Sequence, residues 1–222
     1  MKTSHRDEIL EKMNSSKYID LSFELAKKLT NESERGAILI GTSKVEMHLE
    51  ALIKNILPSK QKSYTDKLLN YPGALSSLSG KIELCFAFRI IDKRLYNSLT
   101  SLRKIRNKAA HSDDFFTLED AKENLDIIYD FEEGFKTVTH DISKYNLREW
   151  KRLSAKQMFI ESELDQSIDF DKIWNEQTQN LENEEIFQEQ LRVWKLFYGL
   201  TILCLKIEAI KEELIENRNF NS

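Results

Sequence analysis

A chain of 222 residues with only six glycines and two prolines can bury a substantial core and has few of the breakers that a many-turned β fold needs, so long helices are favoured. A formal net charge of −4 and a sequence pI near 5.7 argue against a broadly basic nucleic-acid surface and leave only local basic sites open. Cys85 and Cys204 sit among apolar neighbours and read as reduced core residues of a cytoplasmic protein, with a single disulfide as the alternative, and the four scattered histidines offer no metal-ligand spacing.

The N-terminus is charged and lacks the apolar core of a signal peptide. Residues 1 to 16 are polar, with Ser4 as the cap of a short helix. Leu21, Phe23, Leu25 and Leu29 then mark a helix that ends near Asn31. Ser33 caps a longer one, in which Ile38, Val45, Leu49, Leu52, Ile53 and Ile56 recur at helical spacing as far as Leu57, where Pro58 stops it. Gly36 and Gly41 each cost roughly 1 kcal/mol against alanine inside a helix, so they are read as points of close helix packing. No strand precedes them, which disfavours a cofactor loop.

Ser59 to Gly73 is a connection with one helical turn at Thr65 to Asn70. Leu75, Leu78, Ile82, Cys85 and Phe86 lay out the next helix, to Ile90. A very short turn at Asp92 makes it the antiparallel neighbour of the helix that follows. Asp92 caps that helix, and Leu95, Leu102, Ile105 and Ala109 form its buried side. At about 100° per residue, Arg103, Asn107 and His111 fall along a neighbouring stripe, with Arg106 on its border. Two guanidiniums with forked donors, a carboxamide, and an imidazole that exchanges a proton near neutral pH thus share one side of one helix, a set suited to holding phosphate. The plainer alternative is a solvated helix end where His111 favours the C-terminal pole.

Thr117-Leu-Glu-Asp120 has the spacing of a capping box, with Asp in place of Glu or Gln. It starts a helix with Ala121, Leu125, Ile128 and Tyr129 inward, which Gly134 ends. From 141 to 157, Lys144, Arg148, Lys151, Arg152 and Lys156 interleave with Tyr145 and Trp150, and Phe159 follows. The segment reads either as a nucleic-acid face or, more commonly, as an amphipathic helix with a solvated basic side. A strongly acidic stretch, Glu161 to Glu189, reads as a solvated or intersubunit surface. The last helix, about Glu184 to Asn217, carries two apolar stripes, one through Phe187, Leu191, Trp194 and Tyr198, the other through Val193, Phe197, Leu200 and Cys204. It must be buried on two sides, either by the bundle and a second copy or within a larger single-chain core. Its apolar run, Leu196 to Leu205 between two lysines, is too short to span a bilayer, so a cytoplasmic protein without membrane contact is expected.

Arg106 followed by Asn107 and, five positions after the arginine, His111 resembles the arginine, polar residue, three variable residues, histidine motif of HEPN domains. Its surroundings match: a helix before it, a short acidic loop at Ser112-Asp113-Asp114, and a capped helix from Thr117. More narrowly, Lys81-Ile-Glu-Leu-Cys-Phe-Ala-Phe to Ile91-Asp92, then Leu102-Arg-Lys-Ile-Arg-Asn-Lys-Ala-Ala-His111, is similar to the mannitol operon repressor (MltR) family. The resemblance spans about residues 20 to 135.

It implies an all-α protein with a HEPN-like helical bundle over 1–139; it says little of the remainder, where the spacing itself predicts a C-terminal helical extension over 140–222 that packs on the bundle and, in a dimer, on a second subunit. It further implies a homodimeric, metal-independent endoribonuclease of toxin–antitoxin or antiviral defence, with no cofactor and the ribose hydroxyl beside the scissile phosphate as nucleophile. Arg106, Asn107 and His111 are then the catalytic residues, and Arg103, Lys104 and Lys108 bind RNA phosphate. His111 acts as base or acid, Arg106 stabilises charge on the phosphate, and Asn107 orients either His111 or the phosphate. An antitoxin or other regulatory protein is the implied partner beside RNA. The alternative is a non-catalytic transcriptional regulator or protein-interaction module; no helix-turn-helix stands out, and the acidic charge weighs against direct operator binding.

Overall fold

The computed structural model describes residues 29, 32–57, 62–111, 115–162 and 169–219, and among these every regular element is helical. The short helix expected after Ser4 lies outside the described residues, as does the helix expected over 21–31 apart from Leu29, which is fully buried.

Helix α1 (Glu34–Ile56) begins where the Ser33 hydroxyl accepts from the Gly36 N–H at 3.1 Å, as the cap predicts. The connection after it holds a full helix, α2 (Lys62–Leu69), in place of a single turn. Helix α3 (Leu78–Ala87) starts later than the apolar spacing suggests, because the Leu75 N–H is taken by the Leu68 carbonyl at 2.9 Å and Ser77 becomes the cap. At its end Ile90 N–H donates to the Cys85 carbonyl at 2.9 Å, with Arg89 held at φ 55° in the left-handed region. Glycine is the usual residue in such a closure, and a side chain there costs about 1 kcal/mol. Asp92 Oδ1 then accepts from Leu95 N–H at 2.8 Å and opens α4 (Lys93–His111).

Thr117 and Asp120 bond to each other as a cap, through one 3-10 turn (Glu119–Ala121), ahead of α5 (Lys122–Tyr129). Gly134 does not end this helix, which stops at Tyr129. Gly134 has φ 81° and lies at the start of α6 (Phe135–Glu161), where Val138 N–H donates to its carbonyl. Helix α7 (Phe170–Gln177), capped by Asp169, falls within the acidic stretch, and α8 (Glu185–Asn219) closes the chain.

Helix α8 packs against α1, α5 and α6, while α4 lies on α1, α3 and α5. From Leu196 to Ile207 every residue of α8 is buried except half-buried Tyr198. That run of α8 is covered within one chain, while Val193, Trp194 and Tyr198 of the two stripes stay half-buried. A smaller cluster of Leu147, Leu181, Phe187 and Leu191, backed by Trp174 and Trp194, joins α6 and α7 to the first turns of α8.

Two glycines set how near the helices come. A Cβ at Gly41 on α1 would stand 2.2 Å from Leu200 Cδ1 on α8, and one at Gly199 on α8 would stand 2.4 Å from Tyr129 Cε1 on α5. Gly36 has a different role: a Cβ there would meet only the Glu32 side chain, so it belongs to the helix start and not to a helix–helix contact. Polar ties reinforce the packing. Lys81, 3% exposed, bonds Glu46 and Glu50 of α1 at 2.8 and 3.2 Å. His48 Nδ1 on α1 donates to Glu208 Oε1 on α8 at 2.8 Å, and Lys211 pairs with the other carboxylate oxygen. No helix among the described residues is long and apolar enough to cross a membrane.

Gly199→Ala is expected to lower stability by about 1–3 kcal/mol, since the rigid Tyr129 ring cannot yield and the overpacking outweighs the gain in helix propensity. Gly41→Ala should cost less, because its obstacle is the end of a rotatable leucine. Urea unfolding of both variants checks the order, and a Gly199→Ala protein as stable as wild type would contradict the contact. The Glu208 carboxyl is held down to about 2 from the usual 4.5, first by the His48 hydrogen bond and then by Lys211. A depressed folded pKa means that its contribution is complete above about pH 4.5 and is lost as pH falls toward 2. The stability gap between wild type and Glu208→Gln should accordingly be constant near neutrality and close on acidification, as followed by thermal unfolding from pH 7 to 2.5.

Candidate functional site

The last two turns of α4 carry the basic motif, and the helix fixes which side chains face outward. Leu102, Ile105 and Ala109 are buried against the core. Arg103 and Asn107 are half-buried, while Lys104, Arg106, Lys108 and His111 are exposed. The Arg106 guanidinium donates from Nη1 to Asn107 Oδ1 at 3.2 Å. Asn107 thus positions the arginine through its oxygen and keeps its amide N–H groups for another acceptor. His111 is the final residue of the helix.

The two lysines border His111 on the helix and reach toward α5 and the turn before it. Lys108 Nζ donates to the Asp120 carbonyl at 3.4 Å. Lys104 lines a groove between α4 and α5 that also holds Arg94, Asn97, Asp126, Asp130 and Lys136, with Lys136 paired to Asp126 at 3.1 Å. The six motif residues therefore divide into an outward set of Arg103, Arg106, Asn107 and His111 and a pair beside acidic neighbours. Among the described residues no carboxylate pairs with Arg103, Lys104, Arg106 or His111.

One aromatic residue near the motif escaped the sequence reading. Phe115 is 92% exposed, whereas Phe116 and Leu118 beside it are buried. The segment is fastened down by the Leu118 N–H, which donates to Glu34 Oε2 at 2.6 Å, and Glu34 is in turn held by Arg192 at 3.4 Å. Phe115 is four positions after His111, so the two Cα atoms lie within about 14 Å of each other. The available signal was the doublet itself: neighbouring residues on an extended segment face opposite ways, so only one phenylalanine can turn inward. A ring so placed can stack on a base.

The basic run on α6 has a different fate. Lys144 and Arg148 pair with Glu182 at 2.5 and 3.4 Å, and Arg152 bonds Asp171 at 2.6 Å and Glu149 at 3.2 Å. Arg152 holds the Asp171 carboxyl below the usual carboxylate range, and Lys144 does the same to Glu182. Lys156 stands over the Phe170 ring, 5.9 Å from its centroid. The acidic stretch is thus the internal partner of the basic one, and the nucleic-acid reading of 141–157 loses most of its cations. Away from these pairs α6 exposes Trp150, Leu153 and Ile160 on adjoining stripes, and Met158 elsewhere on its surface.

Cys85 and Cys204 are free and buried, and burial pushes both thiols up to about 12, which makes them core groups and not nucleophiles. Among the described residues no three His, Cys, Asp or Glu side chains come together as a metal-binding group. Comparison with protein-family models, curated proteins and solved structures finds no match to this chain.

Because Arg106 and His111 are exposed and end a helix, Arg106→Ala and His111→Ala should each change stability by no more than about 0.5 kcal/mol. Thermal midpoints within about 2 °C of wild type would confirm that their side chains are free for a ligand. A large fall in either would assign that residue to the fold.

Proposed function

We propose that the chain is an endoribonuclease of the HEPN type that needs no metal, with Arg106, Asn107 and His111 as its reacting set and Arg103 as an auxiliary phosphate contact. The observation that carries the reading is the outward set at the end of α4: cations without carboxylate partners among the described residues, one guanidinium aimed by a carboxamide, and an exposed imidazole. In the proposed reaction the imidazole of His111 takes the proton from a ribose 2′-hydroxyl. The 2′-oxygen bonds to phosphorus as the bond to the 5′-oxygen breaks. A proton returns to the leaving 5′-oxygen from an imidazolium, in a dimer that of a second copy. The products are a 2′,3′-cyclic phosphate and a 5′-hydroxyl. Arg106 meets the charge that grows on the phosphate oxygens, which is the electrostatic contribution usually worth most in such steps. Phe115 offers a stacking surface for an unpaired base next to the phosphate.

A second reading, a non-catalytic regulator or protein-interaction module, is favoured by the exposed apolar residues of α6, where Trp150, Leu153 and Ile160 lie on adjoining stripes and are each at least half exposed. The test compares purified wild type, Arg106→Ala and His111→Ala on end-labelled RNA, with and without EDTA. Wild type should cleave in both conditions and leave 2′,3′-cyclic ends, with each variant slower by roughly 10²-fold or more. RNA left intact by wild type, or cut equally by all three, would discard the nuclease and favour the protein-docking reading.

A further inference from the structure

The other end of α4 holds a feature that the nuclease reading does not use. Where α3 turns into α4, a cleft of about 810 Å³ opens between that turn and α8. Ile91, Leu95 and Ile210 form its buried floor, and half-buried Phe86 and Ile90 its walls. The volume falls within the roughly 300–1,000 Å³ of small-molecule sites, which combine apolar walls with a few charged groups that fix orientation.

Three charged residues line the cleft: Arg89, Asp92 and Lys206. Asp92 is occupied as the cap of α4 through Leu95 N–H. Lys206, 7% exposed, is matched by Glu132 Oε2 at 2.9 Å. Arg89 is exposed, and no hydrogen bond or ion pair engages its guanidinium among the described residues. The unmatched charge of the cleft is therefore positive and sits at its rim. Arg89 is also the residue held at φ 55°, where glycine would close α3 without strain. A side chain kept at a strained position, with no hydrogen bond or ion pair among the described residues to offset it, points to a contact outside the chain.

We propose that this cleft binds a small carboxylate with an apolar body, the body lying on Leu95, Ile91 and Ile210 and the carboxylate on the Arg89 guanidinium. Recognition is by the forked donors of arginine, since Lys206 in the lining is already matched by Glu132. The site is separate from the α4 motif and stands or falls independently of the nuclease reading.

Octanoate is the probe, with 1-octanol as its uncharged counterpart, and isothermal titration of the full chain is the measurement. Wild type should show saturable one-to-one binding of octanoate. Octanol should bind roughly tenfold more weakly or worse, as should octanoate to Arg89→Gly. Arg89→Gly removes the backbone strain, so its thermal midpoint should be equal to or above that of wild type, and lost binding cannot then be blamed on misfolding. Ala87→Trp, which fills the rim of the cleft without touching its charges, should also abolish binding. No saturable binding by wild type, undiminished binding by Arg89→Gly or Ala87→Trp, or equal affinity for octanol would each overturn the proposal.

Discussion

Everything in this fold leans on the two close approaches of α8, to α1 at Gly41 and to α5 at Gly199. A missing Cβ on each side lets the helix sink until Leu200 rests on the α1 backbone and the Tyr129 ring lies over its own. Burial of Leu196 to Ile207 follows from that depth, and hydrophobic gain of roughly 25 cal/mol per Å² of apolar surface offsets the cost of two helical glycines many times over. With α1 and α5 held at fixed distances from α8, α4 has one place left, across both of them. Its apolar side faces down onto them, and its polar side is thereby turned to solvent. The motif is thus presented on a surface and not enclosed in a cavity, a geometry that suits a long polymeric ligand better than a small one.

Charge pairing decides which basic residues remain available. The chain is acidic overall, yet its acids are not spread evenly against its bases. Those of the 161–189 stretch meet Lys144, Arg148 and Arg152 on α6, and those of α1 meet Lys81. Exposed pairs of this kind add little stability each, about 0–1 kcal/mol, but they remove cations from the inventory open to a phosphate. The buried lysines behave differently. Lys81 and Lys206 have left water and depend on their glutamates, so they fix how α3 and α8 sit against their neighbours without serving any ligand directly. Among the described cations that no carboxylate engages are Arg103, Arg106 and His111 at the end of α4, and Arg89 just before its start.

Local chemistry was legible in the sequence, and tertiary pairing was not. Ser33 and Asp92 cap as expected because an N-cap needs only its own next three residues. The face of α4 was readable for the same reason, since helical spacing alone separates Leu102, Ile105 and Ala109 from Arg103 and Asn107. Gly134 misled because a left-handed glycine serves at either end of a helix, and the turn at Asp130 intervenes before it is reached. Helix α7 was hidden by its charge: the Asp169 cap and the Phe170–Trp174 pair four residues apart are local signals, but the Phe159 ring that Phe170 meets comes from α6. The division of the motif between an outward set and two lysines beside α5 likewise depends on where α5 lies. Spacing could place Lys104 and Lys108 off the main stripe but could not supply Asp120 or Asp126 as their neighbours.

The motif and the cleft occupy opposite ends of one helix, and that sets what they can do to each other. Leu95 of the cleft and Arg106 of the motif are eleven residues apart along α4, which is about 16 Å at 1.5 Å per residue. Between them Leu95, Leu99, Leu102 and Ile105 are all at most 1% exposed, so the helix has no free side along which to slide and no glycine or proline at which to bend. Coupling between distant sites needs an element with two arrangements that both ligands bias. A helix bedded in this way has one. Occupation of the cleft would therefore leave the outward set where it is, and influence could travel only if α4 moved as a body against α1, which the Lys81 bonds to Glu46 and Glu50 oppose by fixing α3, its antiparallel neighbour, to the same helix.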